Sequence, residues 1–161
     1  MKRLFTLLLL IATIVAGASA QLNKIYEKCQ KEGNVTTVFV SKAMLQMAGN
    51  MGPMDSNSLS LLKDKLDNVL IVSSDNQKGV NFITKFRKEL SPKAGYSSLM
   101  EINDDDSNVV IYQKKLSENK NEFILSVIQK DSSTMIVMDG SITLDDVSKM
   151  TGHNGKTDSG K

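Results

Sequence analysis

Apolar side chains recur with helical spacing at the start of the chain that follows residue 20. Leu22, Ile25 and Cys29 are three and four residues apart, which places them on one face of a helix. Gly33 ends this pattern, as glycine commonly does after a helix. The sequence therefore predicts a first helix with Cys29 on its buried side.

β-branched and helical patterns then alternate as far as residue 92. Residues 35–40 are rich in Val and Thr and predict a strand, after which Ser41 caps a short helix. Residues 49–57, with Gly and Pro, predict a loop. Leu59, Leu62 and Leu66 then form a helical stripe, and residues 69–72 predict a central strand. A capping box at 74–77 predicts the start of a helix that runs to Leu90.

Period-two patterns dominate the chain from Tyr96 onward. Segments 98–102, 109–113, 122–128 and 134–138 alternate apolar and polar residues and are separated by short polar turns. Such closely spaced strands predict an antiparallel meander. A last short helix is expected at Thr143, where Thr143 and Asp146 form a T-x-x-D cap.

These elements predict an α+β fold for one domain over residues 21–150. We expect a single mixed, largely antiparallel sheet of about six strands with helices mainly on one face. Residues 151–161 are polar and predict a disordered tail.

Residues 1–20 have the layout of a cleavable secretory signal. Two basic residues precede an apolar run over 4–15, which is too short to span a bilayer. Small residues follow over 17–20, where a signal peptidase would cleave. Ala18, Ser19 and Ala20 fit an A-x-A site, so cleavage between Ala20 and Gln21 is expected. We expect an exported protein, periplasmic or extracellular.

Charge and cysteine content narrow the class of protein. The leader holds two of the 20 basic residues and none of the 18 acidic ones, so residues 21–161 carry no net charge, which disfavours nucleic acid as a partner. Position 21 is Gln rather than a lipid-bearing Cys, and no second apolar run reaches membrane-spanning length. We expect a soluble mature protein with neither a lipid anchor nor a transmembrane segment.

Three segments carry a resemblance to a known family. They are Val38–Met44, the acidic hairpin Glu101–Ser107 that precedes Val109–Tyr112, and Gly140–Met150. Their order and spacing resemble domain of unknown function 4252 (DUF4252), a family of small exported proteins of Bacteroidetes. The resemblance implies fold and origin, and it implies no catalytic residue because the family has no established activity.

The residues that carry chemistry do not form a recognisable catalytic set. His153 is the single histidine and lies in the predicted tail, and Cys29 is expected to be a buried, inert thiol. Asp104, Asp106 and Asn108 match positions 1, 3 and 5 of a calcium loop, but the positions that need Gly and Glu hold other residues. The pair Asp145 and Asp146 is interpreted as a helix cap. We therefore expect no enzyme and no cofactor.

The sharpest hypothesis for a ligand concerns four methionines. Met44, Met47, Met51 and Met54 have helical spacing, and thioethers suit copper(I). Core packing or an adaptable apolar contact surface explains the same spacing. The favoured interpretation is a non-enzymatic binding or envelope-accessory module that contacts a protein or envelope component through residues 44–54 and an exposed sheet edge. The alternative is a periplasmic carrier of copper(I) or a small ligand.

Overall fold

The computed structural model describes residues 19–48 and 64–150. In chain order, the elements are α1 (Ser19–Glu32), β1 (Thr36–Ser41), α2 (Lys42–Ala48), β2 (Leu66–Ser74), α3 (Gln77–Glu89), a 3₁₀ turn (Pro92–Ala94), β3 (Tyr96–Asn103), β4 (Ser107–Ser117), β5 (Lys120–Gln129), β6 (Ser133–Gly140) and α4 (Leu144–Met150). The predicted loop at 49–57, Leu59, Leu62 and the predicted tail at 151–161 lie outside the described residues.

The six strands form one sheet in the order β1-β2-β6-β5-β4-β3. Every pairing is antiparallel. The chain leaves β2, passes through α3 to the far edge of the sheet, and returns as the meander β3 to β6, so that β6 lies between β2 and β5. The predicted α+β fold, its single six-stranded sheet and its meander are confirmed, and the sheet is antiparallel throughout rather than mixed.

The two longer helices cover one face of the sheet, which we name the helical face. α1 and α3 share a core cluster with strand residues of alternate positions, as the period-two geometry of a strand requires. Its fully buried members include Leu22, Ile25, Ile83, Leu70, Ile124 and Val137. The predicted placement of helices on one face holds for the two longer helices, α1 and α3. The two short helices lie on the opposite face.

The two seven-residue helices pack on the opposite face, which we name the second face. Leu45 of α2 and Val147 of α4 belong to a separate cluster with Phe123 and Met138. A register shift between Leu66 and Asn68 turns Leu66 into this cluster. Leu66 is therefore the first residue of β2, and its predicted place on a helical stripe is wrong.

The cap of α3 differs from the predicted one. Asn76 is the N-cap residue, and its side chain accepts a hydrogen bond from the backbone N–H of Gly79 at 3.0 Å. Ser74 is still the last residue of β2, and its hydroxyl donates to the carbonyl oxygen of Asn34 at 3.0 Å. The prediction of a box starting at Ser74 placed the helix too early.

The cap of α4 is the predicted one. The Asp146 carboxylate accepts hydrogen bonds from the backbone N–H and the hydroxyl of Thr143, at 2.9 and 2.7 Å. Lys65 donates to its other oxygen at 2.6 Å. Burial alone would raise the pKa of Asp146, but these hydrogen bonds lower it to about 2. Asp146 thus holds α4 to the start of β2.

Candidate functional site

The methionines of the sequence hypothesis do not all fall within the described residues. Met44 and Met47 lie on α2 and are each 57% exposed, whereas Leu45 between them is buried. Core packing is therefore wrong for these two side chains, and an exposed apolar contact remains. Met51 and Met54 lie outside the described residues, so the copper(I) hypothesis stays a prediction.

The other sequence candidates occupy separate places. Asp104 and Asp106 are exposed at the hairpin between β3 and β4, and the Asn108 amide oxygen accepts a hydrogen bond from Arg87. The described residues contain no group of three or more His, Cys, Asp or Glu side chains placed to hold a metal ion. Ala20 and Gln21 lie in the first turn of α1, and cleavage between them stays a prediction.

Cys29 lies on α1 and is buried on the side of the helix that packs into the core. Burial, together with the negative charge of Glu32, raises the pKa of its thiol to about 11. Because the thiolate is the reactive form, we expect a thiol reagent at about pH 8 to label the folded protein at least ~100-fold more slowly than the urea-unfolded chain. Time-resolved labelling checks this, and comparable rates would contradict the buried position.

The second face carries an apolar row that crosses all six strands. The strand register places its members side by side. They are Val38, Ile71, Ile136, Leu125, Ile111 and Met100. On the β3 side the neighbouring row is also apolar, with Val127, Val109 and Ile102. We name these nine residues the apolar strip.

The apolar strip lies beside the part of the second face that the short helices cover. The adjoining row, which includes Val40, Val69 and Phe123, belongs to the cluster beneath α2 and α4. The ends of the strip are open: Val38 is 47% exposed, and Ile102 is 50% exposed. Ile71, Ile136, Leu125, Val127 and Val109 are half-buried.

No position of the two strip rows is charged. The second row continues toward β1 with Thr134, Ser73 and Thr36, which are neutral. The strip spans about 24 Å across five strand spacings and about 7 Å between its two rows. Ile111 within the first row is only 6% exposed, so the open apolar surface lies on either side of it. Exposed apolar surface that is free of charge is a candidate interaction site.

The helical face carries a second row, and this one is polar. Its members, in strand order, are Ser41, Asn68, Asp139, Glu122, Lys114 and Tyr96. We name them the polar row. At its centre Glu122 is fully buried and Asp139 is 2% exposed. From the sequence alone Glu122 is only the start of a predicted strand, although its even spacing from the core residue Ile124 is a signal of burial.

In each of the two acids of the polar row, only one carboxylate oxygen has a hydrogen-bond partner among the described residues. Tyr96 donates its hydroxyl to Oε1 of Glu122 at 2.6 Å, and Asn68 donates to Oδ2 of Asp139 at 3.4 Å. Oε2 of Glu122 and Oδ1 of Asp139 have no hydrogen-bond partner in the described part of the chain. Burial raises the pKa of both carboxyl groups.

An open groove of about 510 Å³ separates α1 from α3. It has mixed charge, with Lys28 paired to Glu89 at 2.8 Å and Lys78, Lys85 and Glu32 around it. Neither buried acid of the polar row lines it. The groove and the acids are therefore separate features.

The fold and its surfaces define a small α+β domain whose most distinctive exposed feature is an apolar strip. A family model described as "Domain of unknown function (DUF4252)" matches residues 26–150. The chain belongs to this family, which confirms the resemblance. No curated protein matches it. Among the described residues, no helix has both the length and the apolar character that crossing a membrane requires.

Proposed function

We propose that this chain is an exported, non-enzymatic protein-binding module, and that its apolar strip binds an amphipathic helix of a partner protein. The observation that carries this proposal is the uncharged row from Val38 to Met100 across the whole sheet. A helix that lays an apolar stripe on such a surface buries both apolar faces. The layout of residues 1–20 supports export.

The dimensions of the strip favour a helix over a folded domain. A helix with its side chains is about 10 Å wide, and about 16 residues span 24 Å. The strip offers on the order of 200 Å², whereas a stable interface between folded proteins takes about 800 Å² from each partner. A second copy of this domain, packed face to face, would therefore gain too little contact area from the strip.

The absence of charge on the strip defines the matching partner surface. A charged side chain placed against these residues would lose its hydration without gaining an ion pair. The contacting stripe of the partner helix is therefore apolar, with its charged residues on the outer face. The shape of the row determines which apolar stripes fit against it. Met100 at one end can adapt its side chain to small differences between such stripes.

The remaining chemistry of the described residues supports a non-enzymatic role. The Cys29 thiol is buried, and its raised pKa disfavours a nucleophilic thiolate. Glu122 and Asp139 are enclosed and do not reach the groove between α1 and α3. General acid or base catalysis needs a group within hydrogen-bond reach of a substrate.

The test uses Leu125→Lys as the strip variant and Gln129→Lys as its control. Both residues lie on β5 and, four residues apart, on the same face, but Gln129 is exposed beyond the strip. The probe is a fluorescein-labelled 16-residue peptide of leucine, glutamine and alanine with one leucine stripe. We expect fluorescence anisotropy to show binding that Leu125→Lys weakens at least ~30-fold and Gln129→Lys leaves within about twofold. Equal effects of both variants, or no binding, would refute the proposal.

A second measurement identifies the natural occupant. A photoreactive residue at position 125 is activated in the native envelope, and the crosslinked peptide is sequenced. A crosslink to an amphipathic helix of another protein supports the proposal. Crosslinks to a second copy of the domain, or to residues 49–63 of the same chain, would overturn it.

A further inference from the structure

The centre of the polar row holds two acids on adjacent strands. Glu122 on β5 and Asp139 on β6 are directly opposite in the antiparallel register. The β-carbons of such a pair are about 5 Å apart on the same face. Two enclosed carboxyl groups attached at this separation lie within reach of each other, and the charge of Asp139 acts on Glu122.

Each carboxyl group has one satisfied and one unsatisfied oxygen. Oε1 of Glu122 accepts the hydrogen bond from Tyr96 and Oδ2 of Asp139 accepts the one from Asn68, whereas Oε2 of Glu122 and Oδ1 of Asp139 lack partners among the described residues. Two ionised carboxylates are acceptors only, so neither can satisfy the other. A single proton on either group turns it into a donor, which can then pair with the unsatisfied oxygen of the other group.

Electrostatics favours the same state. Two like charges buried side by side repel each other strongly, and such pairs retain one proton well above the ordinary pKa of a carboxyl group. Burial is the largest cause of the raised pKa of both groups, and the neighbouring acid adds to it for Glu122.

We propose that Glu122 and Asp139 share one proton in the folded protein at neutral pH, so that the pair is a hydrogen-bonded carboxyl–carboxylate unit. Its charge is then minus one rather than minus two. The acid pair belongs to the helical face and is independent of the apolar strip.

Charged groups of both signs lie on either side of the acid pair. Lys114 of β4 lies beside Glu122 in the register and has its ammonium 4.9 Å from the centre of the Tyr96 ring. On the other side, Asp67 of β2 adds repulsion on Asp139, and Lys120 of β5 offsets it. Asp67 is itself engaged by Lys120 and Lys42. The helices of this face, α1 and α3, contribute apolar side chains to the core.

A shared proton makes stability depend on pH with a defined sign. The folded pair keeps a proton at pH values where the same carboxyl group in the unfolded chain, with a pKa near about 4, has lost it. The folded state is therefore favoured in acid, and its advantage declines as the pH rises from about 4 toward the raised pKa of the pair. The domain gains resistance to mild acidification.

The first test measures unfolding in urea between about pH 4 and 8. For the natural protein we expect this pair to raise the unfolding equilibrium constant by up to about tenfold per pH unit above about 4. In Glu122→Gln the amide can donate to Asp139 without a proton, so this component should weaken markedly, and only the burial of Asp139 remains to raise its pKa. The matched control Glu118→Gln, at the exposed turn between β4 and β5, should keep it. Equal pH dependence in Glu122→Gln and Glu118→Gln would refute the shared proton.

The second test does not require any variant to fold. Infrared spectra of the natural protein at pH 7, with and without ¹³C-labelled glutamate or aspartate carboxyl groups, detect the stretching band of a protonated carboxyl group. We expect such a band, shifted by one or both labels. Its absence would show that both acids are ionised and would overturn the proposal.

Discussion

Replacing Gly140 with alanine is expected to lower the free energy of unfolding by at least about 3 kcal/mol. Gly140 ends β6 with φ +149°, a conformation that L side chains rarely adopt. A β-carbon there would lie 2.1 Å from the carbonyl oxygen of Lys65 and 2.9 Å from the α-carbon of Leu66. These are backbone atoms, and Lys65 is also held by a 2.8 Å hydrogen bond from the N–H of Ser141. Urea unfolding followed by circular dichroism measures the loss.

The control for this change is Gly33→Ala. Gly33 also has a positive φ, +68°, but a β-carbon there would meet nothing within 4 Å. Only backbone strain remains, so a loss of about 1 kcal/mol is expected. Similar losses for the two variants would mean that the close approach of β6 to β2 is not what Gly140 provides.

Replacing Phe123 with alanine is expected to cost about 3–5 kcal/mol of unfolding free energy. Phe123 is fully buried on the second face, in the cluster with Leu45, Met138 and Val147. Removing the ring leaves a cavity between the sheet and the two short helices, which cannot close it without shifting. The same urea titration measures the effect.

Leu125→Ala is the matched control, two residues further along β5 on the same face. Leu125 is only half-buried in the apolar strip, so we expect a loss below about 1.5 kcal/mol. If Leu125→Ala costs as much as Phe123→Ala, the strip is covered in the folded protein and is not available to a partner helix. This pair of variants therefore separates core from binding surface without knowledge of the partner.

Local patterns in the sequence predict most elements of the fold. The spacing of Leu22, Ile25 and Cys29 and the alternation after Tyr96 reflect burial on one side, which each element shows by itself. Ser74 and Leu66 were misplaced because both lie where a strand meets a different element. At such junctions, strand pairing and packing decide which residue caps the helix and which face of the sheet a residue lies on, and local spacing does not.

The two rows could not be predicted in the same way. Alternation shows that Leu125 and Ile136 each lie on a face of their strand, but not that they are neighbours, because that depends on register between strands. The same holds for Glu122 and Asp139, which are 17 positions apart in the chain. Both features appear only when strands far apart in sequence are aligned.

The position of β6 has a consequence for the order in which the domain can fold. This strand is synthesised last of the six, yet it fills the gap between β2 and β5. Until it emerges, β1 and β2 cannot join the meander, and the emerging polypeptide lacks the long-range contacts that make folding cooperative. Such a delay would keep the chain threadable through a narrow translocation channel until its carboxyl-terminal third is complete, as the proposed export requires.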